Sequence, residues 1–214
     1  MFDQPNDGAY WTHNGQKTGT AAPEDLDVLM ACAAHHESGH LAIAAVNGLR
    51  LRAEALILDR GAEGLACYCK QPDSSDYSHE RIIIATFAGY YAERRFRDAN
   101  SHPYMPADEF FLRSVDGREA RELLVSMPAA RLLNGSVPAT HVKLQRGSES
   151  LVGRHWPAIE SLAAALLAKG WEPLRPLKSG VAWSQEATAK YLPGEEAVSI
   201  LARHGIAASS VLDC

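Results

Sequence analysis

His36 and His40 stand four residues apart in the run His35-His36-Glu37-Ser38-Gly39-His40. On a helix that spacing puts both imidazoles on one face, one turn above the other. Two neutral imidazole nitrogens so placed can bind one zinc ion at about 2.0–2.1 Å, and a glutamate beside the first histidine can serve a metal-activated water as general base. Glu37 occupies that place. The competing reading is a pair of surface or core histidines on an amphipathic helix. A catalytic zinc site also needs a third protein ligand and an open position. Spacing alone leaves His35, His102, Asp108, Glu109 and Asp116 as candidates, and a glutamate from a neighbouring helix would be Glu80, Glu93 or Glu109. A third histidine in the extended metzincin arrangement is absent, since Leu41-Ala42-Ile43-Ala44-Ala45 follows His40.

The elements that would carry these residues can be read from periodicity. Pro23 opens a helical pattern, acidic at its start through Glu24, Asp25 and Asp27, with apolar residues from Leu29 to Ala44 and a stop at Gly48. Residues 51–69 read as two short strands joined by the turn Asp59-Arg60-Gly61-Ala62-Glu63-Gly64. A polar linker over 71–78 precedes a helix over 79–98 with an apolar face through Ile83, Ile84, Phe87, Tyr90 and Tyr91. A third helix is expected from Pro106, through Phe110, Phe111, Leu112 and Val115, with a bend at Gly117, to Leu124. A long helix over about 149–168 and a short one from Pro193 to His204 complete the expectation. The fold class is therefore mainly α with a small β-sheet, α+β. Residues 1–22 are expected to form a loosely held arm and 23–214 a single domain.

The chain resembles the peptidase domain of the M41 family, the FtsH-type zinc metalloproteases. His36-Glu37-Ser38-Gly39-His40 matches that family's H-E-x-G-H. Ile57 to Gly64 resembles its strand and following loop, with Asp59 in place of a proline, and Phe87-Ala88-Gly89-Tyr90-Tyr91-Ala92-Glu93 resembles its G-G-R-x-A-E segment, departing at Ala88 and Tyr90. The resemblance covers about 25–205, is strongest over 30–112 and finds no counterpart for 129–148. It implies a zincin-like fold of FtsH type, with His36, His40 and Asp108 holding Zn²⁺ and Glu37 as the catalytic base. Asp108 stands where the family has an aspartate about fifteen residues beyond the Glu93 position. The resemblance also places the strand Gly64, Leu65, Ala66 and Cys67 beside the metal, where an edge strand would hold an extended substrate by strand addition; an ordinary core strand is the alternative. Glu93 is expected to orient a ligand imidazole or cap its helix, and His35, pointing about 100° away from His36, to be packed or solvated. The aromatic residues Phe87, Tyr90, Tyr91, Phe110 and Phe111 should form core, and the run Glu93-Arg94-Arg95 a solvated face.

Composition bounds the function further. The chain has 214 residues with a formal net charge of −5. That length has no room for a built-in ATPase beside a second catalytic domain, and no Gly-Lys dipeptide provides a phosphate-cradling loop. The acidic balance argues against a nucleic-acid surface. The polar, acidic start does not read as a secretory signal, the longest apolar run is too short to span a bilayer, and four scattered cysteines do not make a disulfide framework. The expectation is a cytoplasmic protein with reduced thiols, acting as a zinc endopeptidase on flexible or unfolded polypeptide. The alternatives are a zinc-stabilised regulatory or protein-binding module and a peptidase subunit, self-associated or paired with a separate ATPase.

Overall fold

A computed structural model of the chain describes residues 25–69, 78–174 and 188–211. The arm expected over 1–22 and nearly all of the polar linker over 71–78 lie outside the described residues. The molecule is mainly helical with one small sheet, as expected. Helix α1 (Leu26–Val46) is followed by strands β1 (Leu51–Asp59) and β2 (Gly64–Tyr68), then α2 (Ser78–Ala99), α3 (Ala107–Arg113) and α4 (Val115–Ser126). Helices α5 (Val137–Arg154) and α6 (Trp156–Leu167) precede β3 (Glu172–Pro173), β4 (Thr188–Pro193), α7 (Gly194–Arg203) and β5 (Ser210–Val211). Among the described residues no helix is long and apolar enough to cross a membrane.

Helix α1 starts at Asp25, whose side chain accepts a hydrogen bond from Asp27 N, two residues later than the proline suggested. It is buried without interruption from Cys32 to Ala45. A helix buried on every side ought to be apolar all round. Instead this one carries His35, His36, Glu37, Ser38 and His40 in its middle, each at most 9% exposed. Burying polar groups is unfavourable unless each finds a partner, so this stretch marks the site before any geometry is considered.

The sheet runs β2-β1-β4-β3, all neighbours antiparallel, and β5 adds to β1 in parallel. β2 pairs with β1 alone in this order and so forms an edge. The turn between them is built by Asp59, whose Oδ1 accepts from Gly61 N and Glu63 N, both at 2.8 Å. The carboxylate thereby fixes the chain reversal.

Two helices expected as single rods are broken. The one beginning near Pro106 divides at Ser114 (φ −74°, ψ 161°), not at Gly117. Ser114 caps α4, its Oγ accepting from Gly117 N at 3.0 Å. The Arg121 guanidinium returns to the Phe111 and Leu112 carbonyls at the end of α3. Gly117 lies so close to the Phe111 carbonyl that a side chain there would collide with it. The helix expected over 149–168 begins at Val137, capped by Ser136, and breaks at His155, because Pro157 cannot continue a helix but starts one well. Segment 129–148 thus consists of two 3-10 turns and the first two-thirds of α5. Cys32, Cys67 and Cys69 are all buried.

Candidate metal centre

The site begins with the crossing of α1 and α2. A Cβ on Gly39 would stand 2.6 Å from Ala92 Cβ and 2.7 Å from Ala88 O, so the two backbones touch there. One residue along α2, a Cβ on Gly89 would stand 2.6 Å from His36 Nε2 and His40 Cε1, and nearer still to His40 Nε2. The two imidazoles converge over the bare backbone of Gly89. That convergence explains why this turn of α2 has no side chain where α1 carries its histidines.

Each ring is held by its other nitrogen. His40 Nδ1 donates to the Ala85 carbonyl at 2.8 Å, and His36 Nδ1 donates to Glu93 Oε2 at 3.1 Å. Both Nε2 atoms are thereby pointed into the same small volume, and Asp116 Oδ2 enters it from α4 at 3.1 Å from His36 Nε2 and 3.4 Å from His40 Nε2. These three atoms lie within 4.8 Å of one another. Ligands at zinc-like bond lengths on a tetrahedron stand about 3.3–3.4 Å apart. The two edges to Asp116 are close to that spacing, so this nitrogen, nitrogen and carboxylate donor set could hold a small metal ion. The imidazoles are 4% and 8% exposed and Asp116 is 15% exposed, so access is from the side of the aspartate.

The electrostatics of the protein without a metal follow from the same contacts. Burial alone would lower the His36 pKa, but hydrogen bonds to Asp116 and Glu93 raise it well above the usual imidazole value. Burial would raise the Asp116 carboxyl, yet His40 and His36 beside it pull it far below the carboxylate range. Glu93 is likewise held low against its burial by His36 and Arg97. The Arg97 Nε donates to Glu93 Oε1 at 2.7 Å and its Nη1 to the Pro103 carbonyl at 3.1 Å. The four charges on this side of the site, Asp116, His36 with its proton, Glu93 and Arg97, are thus paired in the absence of metal.

The remaining candidates separate clearly. Asp108, the third ligand implied by the resemblance, is exposed on the first turn of α3 and is not among the gathered residues. The break at Ser114 instead brings Asp116, on the first turn of the next helix, beside the two histidines. Glu109 pairs with Arg113 on its own helix at 3.0 Å, and Glu80 lies on the first turn of α2. His35 is packed, its ring 4.2 Å from that of Phe96 and 5.6 Å from that of Trp156, with Nδ1 donating to Ala31 O. The aromatic residues of α2 and α3 form core around Phe111. Glu93 is buried rather than solvated, which corrects the reading of Glu93-Arg94-Arg95 as an exposed face.

Glu37 is buried beneath the edge strand, since a Cβ on Gly64 would collide with Glu37 Cγ. Gly64 is buried, Leu65 and Ala66 are half-buried and Cys67 is buried. Alternation along the strand puts Gly64, Ala66 and Tyr68 on one face. Tyr68 went unnoticed in the sequence. Burial pushes its phenol up, and Glu119, Asp116 and Glu37 add to the effect, which places it in the electrostatic field of the site. No protein-family model and no curated protein matches this chain.

Proposed function

We propose that the chain is a zinc-dependent peptidase that hydrolyses peptide bonds in flexible or unfolded polypeptide segments. The observation that carries this reading is the convergence of His36 Nε2, His40 Nε2 and Asp116 Oδ2 at tetrahedral-edge distances, with Glu37 on the same helix next to the first ligand. A zinc ion bound by these three atoms would polarise a substrate carbonyl and lower the pKa of a water towards about 7. Glu37 accepts the proton of the attacking water and delivers it to the departing amide nitrogen, so that the C–N bond breaks as a neutral amine leaves. β2, which ends the strand order among the described residues and lies beside Glu37, offers its main chain to an extended substrate. A chain already lacking secondary structure can add to that edge, which is why the substrate class is unfolded or flexible segments.

The test is to measure bound zinc and cleavage of a loosely folded protein for the natural chain and for Glu37→Gln. Retained zinc with activity reduced by about 10²–10⁴ supports the peptidase. Equal turnover in the two proteins, or none in either with zinc bound, overturns it and leaves a metal-stabilised binding module.

A further inference from the structure

The ligands come from two separate parts of the chain. His36 and His40 are on α1 and are braced by α2 through Glu93 and Ala85. Asp116 arrives on α4, after the connection over 100–106 and the short α3. Whatever fixes that connection therefore helps to fix the distance between the carboxylate and the two imidazoles.

Arg97 touches both parts. Its Nε holds Glu93, the partner of His36, while its Nη1 holds the Pro103 carbonyl in the middle of the connection. Its own carbonyl accepts from His102 N at 2.9 Å. A few residues earlier on the same helix, Tyr90 donates to Met105 O at 2.9 Å and packs its ring 4.8 Å from Phe110 of α3. Arg97 is 1% exposed, the largest side chain in the fully buried set. A buried guanidinium is costly unless its donors are used. A histidine ligand needs only a carboxylate at its second nitrogen, so orienting His36 does not by itself call for an arginine. What the guanidinium adds is a planar fork able to hold two acceptors on different segments at a fixed angle, which an ammonium group cannot do.

We propose that Arg97 is a positioning residue that couples the two parts of the ligand set, so that metal binding and the order of the 100–106 connection rise and fall together. The proposal rests on the metal-centre reading above. It predicts that zinc bound between α1 and α4 slows amide exchange in a connection that contributes no ligand.

The experiment uses the full chain and zinc alone. Zinc affinity is measured by competition with a chromophoric chelator, and amide exchange over 100–106 is followed with and without zinc, for the natural chain, Arg97→Met and Arg97→Lys. In the natural chain zinc should slow exchange there. Arg97→Met should weaken zinc binding by about 10–100-fold and abolish the zinc-dependent protection. Arg97→Lys still pairs with Glu93, so it should recover affinity to within a few-fold of the natural chain while the connection stays insensitive to zinc. Natural affinity in Arg97→Met, or zinc-dependent protection surviving in Arg97→Lys, would overturn the proposal. Should Arg97→Met not fold, the exchange of Arg97→Lys decides alone. A natural chain that binds zinc without protecting 100–106 refutes the coupling only, whereas one that binds no zinc refutes the peptidase reading and this inference with it.

Discussion

Gly89→Ala adds one methyl group at the point where the two imidazoles converge on α2. Its carbon would stand 2.6 Å from His36 Nε2 and His40 Cε1, and closer to His40 Nε2, against an ordinary contact of about 3.5 Å. Each imidazole would have to retreat by nearly 1 Å. Neither can do so freely, because His36 is tied to Glu93 and His40 to the Ala85 carbonyl. Swinging both rings loses two hydrogen bonds of about 0.5–1.5 kcal/mol each, or else overpacks the crossing at about 1–3 kcal/mol. Against this, alanine is favoured over glycine inside a helix by about 1 kcal/mol. The metal-free protein should therefore lose only about 0–2 kcal/mol and still fold. The metal site fares far worse, since the methyl competes with the ion for the space between the two donor nitrogens. We expect zinc affinity to fall by more than 100-fold. Zinc at about 100 times its Kd should stabilise the natural chain by about 2.7 kcal/mol, and that stabilisation should vanish in the variant. Thermal unfolding with zinc and with chelator, in both proteins, reads this directly. A variant that still gains stability from zinc as the natural chain does would refute the placement of the two imidazoles over Gly89.

Two further expectations concern the carboxylate and the proton. Asp116→Asn should lower zinc affinity by more than 100-fold, while Asp108→Asn, exposed on α3, should change it less than twofold; chelator competition separates them, and the reverse order would restore Asp108 as the ligand. Because the His36 pKa is raised in the metal-free fold, its pairing with Asp116 and Glu93 contributes stability that is complete below the ordinary imidazole value near 6.5 and is lost as pH rises through the higher folded value. Metal must displace that proton, so zinc binding at neutral pH should release about one proton and tighten as pH rises through the same range. Calorimetric titration in buffers of different ionisation enthalpy measures the release, and a buffer-independent heat would contradict it.

The part of the site that sequence makes legible is the part confined to one helix. His36, Glu37 and His40 lie within a single turn or so, where helical geometry converts spacing directly into proximity. Asp116 requires a tertiary arrangement, and spacing admitted it only as one of five candidates. The resemblance chose Asp108 by counting about fifteen residues beyond Glu93, to the start of the helix expected from Pro106, whereas the carboxylate beside the histidines stands after a break in that helix. The signal for the break was present in Ser114 before Val115-Asp116-Gly117, a hydroxyl cap followed by an acidic first turn. The same pattern, Ser136 before a proline-containing first turn, marks the true start of α5. Arg97 was not legible, because an arginine in a charge-rich stretch usually belongs to solvent, and only the fold shows that this one is enclosed. The small sheet was half visible: β1 and β2 follow from strand-forming residues around a turn, but β4 lies some 130 residues from its partner β1 and carries too short a pattern to declare itself.

The contact of α1 with α2 at Gly39, Ala88 and Ala92 has a consequence for which ions the protein accepts. Backbones already touching cannot be compressed, and the braces on both imidazoles keep them from spreading. The separation of the two imidazole nitrogens is therefore held fixed, and Asp116 Oδ2, 3.1 and 3.4 Å from them, closes a narrow aperture. A cation that prefers bonds of about 2.3–2.6 Å and six or more oxygen ligands, as calcium does, finds the aperture too narrow and the nitrogens unsuitable. On the proposed zinc reading, ions of zinc's size fit that aperture, and discrimination among them falls to their preferred coordination geometry.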